Sequence, residues 1–329
     1  MSKTGSKLDN QGGDHSDHLI TFYLLRFITQ LLVRPYERKR RPSKSVAIVV
    51  PLSARNELLP EEEVSLRHLV HFLGGYDRYF VAPRGISVPQ GGFKILNFGP
   101  KFFGSAAAHN QLLMWPGFYR MFEDYRFILI YHLDSLVFSD DMPQWCQRDL
   151  DYIGAPWLPC SDTPWVKEAR VGNGGFTLMK VESVLKVLHN RYRTEPATYW
   201  LDILMRNSSR FGLFFQMLEG FRRLFPHSRL INRPLEDLRK SEKPEIHGCN
   251  NDFFWSFQAA NYLPEFRIAS VEEGLRFGFE ASPRLCFELN GGQMPFGCHA
   301  WTKFDRSFWE PHLLQHVEPS ENFRAAEIA

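Results

Sequence analysis

His132 and Asp134 stand one residue apart, just after the apolar run Phe127-Ile128-Leu129-Ile130. Such a run reads as a buried strand. A carboxylate where the strand surfaces can hold a divalent cation, which neutralises a diphosphate and stabilises it as a leaving group. Asp134 has a plainer alternative, a loop-start aspartate accepting from the backbone of Leu136 or Val137. His132 has three readings: a metal ligand, a hydrogen-bond donor to phosphate, or a packed imidazole satisfied by a carbonyl.

Three further stretches carry residue types with chemical use. In Val171-Gly172-Asn173-Gly174-Gly175-Phe176, glycines around an asparagine mark a place where backbone approaches something closely. That something is either a substrate, with Asn173 offering donor and acceptor, or a neighbouring strand. The run fits neither the dinucleotide fingerprint nor the phosphate loop. In Asn250-Asn251-Asp252, the acid heads an apolar helix and either favours the helix dipole or serves as a general base. In Gly297-Cys298-His299-Ala300-Trp301, His299 is either a second metal ligand or a loop imidazole packed on Trp301. A site mixing Asp and His suits Mn²⁺ better than Mg²⁺.

The elements that must position these residues follow from hydrophobic patterning. Ser45–Val50 is a continuous β-branched run closed by Pro51, as in a buried parallel strand. Pro60 and three glutamates open a helix with Leu66, Leu69, Val70 and Leu73 on one face, and Gly74-Gly75 stop it. Strands are expected at Tyr79–Val81, Lys94–Phe98, Phe127–Tyr131, Asp151–Gly154 and Gly175–Met179. Helices are expected at Ala106–Met114, from Val181 through Leu188, and at Phe253–Ala260. The end of the chain through Phe296–His299 has loop character. Strand–helix alternation to about residue 135 implies a doubly wound α/β domain, in which ligands bind beyond the carboxyl ends of the strands.

The bulk composition narrows the classes. A chain of 329 residues that is 44% hydrophobic can bury a sizeable core, and a net charge of +2 excludes the strong basic excess of a dedicated nucleic-acid binder. Cys146, Cys160, Cys249, Cys286 and Cys298 form neither a disulfide framework nor a zinc pattern, so they read as reduced thiols in a cytoplasmic protein. Residues 1–17 read as a polar disordered tail, 18–44 as an amphipathic helix with a basic linker, 45–315 as the main domain and 316–329 as a frayed tail. Ile20, Leu24, Phe27, Ile28 and Leu31 share one face of the N-terminal helix, which RPYERKRR follows. That helix either packs on the main domain or contacts anionic lipid at the inner face of the membrane through residues 18–41.

The ordered pieces VAIVVP, FFGSAAAHNQLLMWPGFY, ILIYHLDSLVF, DYIGAPW, VGNGGFTL, NNDFFW, FGFEASPR and FGCHAW span roughly Val46 to Trp301. In that order the chain resembles an uncharacterised bacterial family with a glycosyltransferase-like GT-A fold, domain of unknown function 5672. DYIGAPW and VGNGGF carry the resemblance most specifically. It implies a GT-A-like (Rossmann-like), mostly parallel central sheet flanked by helices. It also implies a nucleotide-sugar donor, a glycan or lipid-linked acceptor and no nucleic acid. The segment HLD resembles the DxD metal motif, with Asp134 in the place of the second acid and His132 in that of the first. Asn251-Asp252 resembles the acidic pair of inverting enzymes, with Asp252 as base. His299 matches a C-terminal metal-ligating histidine, completing a Mn²⁺ or Mg²⁺ site with Asp134.

On the same resemblance, Pro51, Ser53 and Arg84 border the nucleotide, and Gly172, Asn173, Gly174 and Gly175 shape the sugar and acceptor pocket. The implied activity is an inverting glycosyl transfer in bacterial surface polysaccharide synthesis. The rival is a non-catalytic GT-A-like protein that binds sugar nucleotide or glycan, favoured by the absent first acid and by Asn251. A nucleotidyltransferase is disfavoured because Pro51–Glu57 lacks the glycines of a triphosphate cradle.

Overall fold

A computed structural model describes residues 36–38, 40–86, 91–190 and 250–314. The chain divides into two compact units, one of residues 1–36 and 189–242, the other of residues 37–188 and 243–329. All the architecture below belongs to the second. The two tails and the segment 191–244 lie outside the described residues, as does the N-terminal helix up to residue 35. Among the described residues no helix is long and apolar enough to cross a membrane. Arg38, from the basic stretch that follows the N-terminal helix, is turned inward: its side chain is 8% exposed and donates to the carbonyl of Tyr125.

The apolar runs become strands because only a sheet covered on both faces can bury every side chain of a continuous run. The chain forms β1 (Lys44–Pro51), β2 (Asp77–Pro83), β3 (Lys94–Phe98), β4 (Tyr125–Tyr131), β5 (Leu136–Val137) and β6 (Tyr152–Gly154). It continues with β7 (Pro156–Trp157), β8 (Arg170–Val171), β9 (Phe176–Lys180), β10 (Gly278–Phe279) and β11 (Gly297–Cys298). The central sheet has the order β3-β2-β1-β4-β9-β6. Its first four strands are mutually parallel, and β9 runs antiparallel to both β4 and β6. The result is an α/β fold with a mostly parallel sheet and flanking helices, the class expected from sequence. Ala47–Val50 and Phe127–Tyr131 are almost wholly buried. Each such side chain contributes about 1.5–3 kcal/mol relative to exposure, so the edge where these strands end is a rigid base for a site.

Two smaller sheets sit beyond that edge. β7 pairs antiparallel with β8, and β11 lies between β10 and β5. The loop character expected for residues 296–299 is corrected here: Gly297–Cys298 is a strand, paired on both sides. It escapes periodicity because two residues define no period. The helix expected at Phe253–Ala260 is present but irregular, with α-helical turns at Asn251–Phe253 and Ala259–Tyr262 and a π-helical turn at Phe254–Gln258 between them. The four described cysteines are free thiols.

Candidate functional site

The three-stranded sheet sets three charged side chains at its ends. Asp134 lies two residues before β5, Glu280 directly after β10 and His299 directly after β11. Pairing of Cys298 with Leu136 and with Phe279 brings these ends together. Two further bonds lock them, from the His299 N–H to the Phe279 carbonyl (2.9 Å) and from the Trp301 N–H to the Asp134 carbonyl (3.1 Å). Leu136, Phe279, Cys298, Trp301 and Trp309 pack together beneath, which fixes the sheet.

The outcome is one imidazole between two carboxylates. His299 Nε2 lies 3.2 Å from Asp134 Oδ1, and His299 Nδ1 lies 2.9 Å from Glu280 Oε1. The Asp134 carboxylate is thus engaged by His299, while β5 pairs Leu136 and Val137 with β11. His299 does not rest on Trp301, which is buried in the core below. Burial works against a charged His299, but Asp134 and Glu280 outweigh it and push its pKa up to about 10. Burial would likewise raise Asp134, yet the His299 imidazolium holds it well below the usual carboxylate range. Glu280 is lowered too, burial again being outweighed by His299.

His132 joins the same group: His132, Asp134 and His299 each offer one ligating atom, all within 4.8 Å of one another. Behind it stands His109, whose Nε2 lies 3.0 Å from His132 Nε2. One of these nitrogens must carry the hydrogen and the other accept it. Burial pushes the pKa of His109 down to about 4; burial and the neighbouring imidazoles push His132 down to about 3. Both rings are therefore neutral at pH 7, the form that ligates metal. Two imidazoles and a carboxylate form a donor set for Mn²⁺ rather than for all-oxygen Mg²⁺. The Glu280 contact to the far ring nitrogen of His299 is the outer-shell partner that ligating histidines commonly have.

The glycine loop runs past this cluster. A methyl group on Gly175 would collide with the His299 imidazole, and one on Gly172 would collide with the Trp157 indole. A methyl on Gly174 would lie 3.3 Å from Asn251 Oδ1 and 3.4 Å from Asp252 Cβ. So the loop touches the indole, the aspartate and the imidazole in turn. Asn173 adopts φ 61°, with only 1% of its surface exposed. Its Oδ1 accepts from the N–H groups of Gly175 and Phe176 (both 3.0 Å), and its carbonyl accepts from Tyr152 and Thr177. Its amide nitrogen faces His299 Nδ1 at 2.8 Å and bonds the Glu280 carboxylate. The side chain of Asn173 thus holds the loop and ties it to the His299–Glu280 pair.

Asp252 heads its helix and accepts from the Phe253 N–H at 2.8 Å. Burial raises its carboxyl above the ordinary value, with the Glu280 charge adding to the effect. Asn110 holds the helix start, its Oδ1 accepting from the Asn251 N–H (3.1 Å) and amide (2.7 Å). Pro51, Ser53 and Arg84 stand at the same carboxyl edge of the sheet but bond locally. Ser53 accepts from Arg55 (3.0 Å), and the Arg84 N–H donates to Phe98 (3.2 Å).

Glu280 and His109 were absent from the sequence-based candidates. Both lie in stretches that carry the family resemblance, FGFEASPR and FFGSAAAHNQLLMWPGFY, and that is the signal that could have found them.

The family model described as "Protein of unknown function (DUF5672)" matches residues 92–299. No curated protein matches the chain. Among solved structures, the apo-form glycosyltransferase GlyE of Streptococcus pneumoniae TIGR4 is similar at 12% identity and a TM-score of 0.38, over 83% of this chain and 61% of that one. The galactosyltransferase LgtC, solved with donor and acceptor sugar analogs, is similar at 14% identity and a TM-score of 0.39, over 83% and 98%. A Pyrobaculum calidifontis mannosyltransferase in complex with GDP-Man and Mn²⁺ is similar at 15% identity and a TM-score of 0.28, over 52% and 54%. The chain thus spans less than two thirds of the GlyE and mannosyltransferase chains.

Proposed function

The chain belongs to the DUF5672 family, and from that premise we propose that it is a glycosyltransferase with a GT-A-like fold, moving a sugar from a nucleotide-sugar donor to an acceptor hydroxyl. One observation carries the reading. A His132–Asp134–His299 cluster fit for a cation and a carboxylate with a raised pKa, Asp252, flank a single glycine loop at the carboxyl edge of the parallel sheet.

His132, Asp134 and His299 would hold Mn²⁺, with Glu280 fixing the His299 ring. When bound, the cation neutralises the donor diphosphate and stabilises it as a leaving group. Asp252 takes the proton of the acceptor hydroxyl. The acceptor oxygen bonds to the anomeric carbon as the bond to the diphosphate oxygen breaks, and the centre inverts. A raised carboxyl suits this role, because a base is most effective with its pKa near the working pH. Pro51, Ser53 and Arg84 border the nucleotide. The acceptor is a glycan or lipid-linked glycan of bacterial surface polysaccharide synthesis, met in the cytoplasm at the inner face of the membrane.

The test uses UDP-, GDP- and CMP-sugars with Mn²⁺. Asp134→Ala is expected to remove cation-dependent turnover, whereas Asp252→Asn is expected to keep donor affinity and lose turnover. Full activity in Asp134→Ala sinks the metal assignment. A second reading, a sugar-nucleotide or glycan binder without turnover, is favoured by the single carboxylate in the cluster; donor binding without turnover in the wild type would establish it.

A further inference from the structure

Beyond Asp252 the surface is aromatic. Trp157 packs against Phe253 with ring centroids 4.8 Å apart and planes tilted by 30°, and Phe253 stacks on Phe257 at 5.7 Å and 16°. Trp165 lies 5.1 Å from both Trp157 and Phe253. Trp165 and Phe257 are each 49% exposed, and the Arg170 guanidinium sits 4.5 Å from the Phe257 ring centroid. Single exposed aromatics are ordinary; here two are joined through the buried Trp157 and the half-buried Phe253 into one contiguous tier. The π-helical turn that carries Phe257 is itself a feature enriched at functional sites.

The tier is continuous with the candidate site at two points. Phe253 is the residue after Asp252, and Gly172 leaves room for the Trp157 ring. Along the loop the order is therefore aromatic tier, Asp252, then the histidine–aspartate cluster. A diphosphate belongs with the cluster, so the tier faces the other reactant.

We propose that Trp165 and Phe257 form the acceptor subsite and that the acceptor they recognise is a saccharide. A pyranose has an apolar C–H face, which stacks on aromatic rings, and a rim of hydroxyls, one of which reaches Asp252. Arg170 and the Asp252 carboxylate interrupt the tier with polar groups, which suits a sugar better than a lipid chain. The assignment rests on the transferase reading above.

The test is an oligosaccharide array probed with labelled full-length protein. Wild type is expected to bind a set of glycans. Trp165→Ala and Phe257→Ala, both at half-exposed positions and checked for an unchanged melting temperature, are expected to lose that binding about tenfold or more. Retained binding in both variants, or no glycan bound by the wild type, overturns the subsite. So does loss of UDP, GDP or CMP affinity in Trp165→Ala, which would make the tier a nucleobase platform. Glycan binding without sugar transfer removes the enzyme reading and leaves the subsite. Transfer with an unchanged acceptor KM in both variants does the reverse.

Discussion

Asp134 and Asp252 lie on either side of one glycine loop and are driven in opposite directions. Burial opposes ionisation of both. At Asp134 an imidazolium 3.2 Å away wins, and the carboxyl falls below its usual range. At Asp252 no cation among the described residues sits so close, the Glu280 charge adds to burial, and the carboxyl rises. Environments that pull like groups apart are how a site separates a permanently charged group from one that exchanges protons. The first suits cation binding and the second suits proton abstraction.

The largest expected effect separates these roles. Asp252→Asn should lower the transfer rate by about 10²–10⁴ and leave the Mn²⁺ Kd, read by calorimetry, unchanged. A shift in Kd would join the two aspartates into one unit and break the comparison. The pH profile sharpens it. The raised Asp252 must be ionised to act, so the rate should fall as pH drops through its pKa.

The cation end depends on pH in the same direction but through a different group. His299, with its pKa near 10, carries a proton at pH 7 that a metal on the same nitrogen must displace. Mn²⁺ affinity should therefore rise about tenfold per pH unit between pH 7 and 9, with about one proton released per ion. Calorimetry in buffers of different ionisation enthalpy counts that proton, and a flat profile would remove His299 from the ligand set. A smaller effect is expected at Glu280→Gln. Loss of the charge behind His299 should weaken Mn²⁺ by about 10–100-fold, with the glycan-binding set unchanged.

Sequence exposed the parts of this arrangement that have length. β1 through β4 are continuous or nearly continuous apolar runs, and Asp134 is conspicuous because it follows one. β5, β10 and β11 have two residues each and so no period to detect, yet they align Asp134, Glu280 and His299. Glu280 is 19 residues from His299 and 146 from Asp134, a spacing that no local rule connects. His109 sits in AAAHN, an ordinary helical composition. Around Asn173 the close approach of backbone was legible from the glycines, but neither its left-handed backbone nor the two N–H bonds its Oδ1 accepts could be read from residue types.

The loop itself supplies the smallest effect and a direct check that it spaces two ends. Gly175→Ala forces a methyl into a buried imidazole held on both sides by carboxylates and should cost about 1–3 kcal/mol. At this chain size that is a fall in Tm of roughly 1–2 °C per kcal/mol, accompanied by loss of Mn²⁺ affinity. Gly174→Ala places its methyl at 3.3–3.4 Å from Asn251 and Asp252, where a few tenths of an ångström of give suffice. Gly174 is not among the glycines of positive φ, and alanine lowers the entropy of the unfolded chain. Its stability change should stay within about 0.5 kcal/mol, and Mn²⁺ affinity should hold, because its neighbours are those of the Asp252 end. Equal damage from both substitutions would mean that the loop tolerates no added atom anywhere, and that its contacts do not divide between the two aspartates.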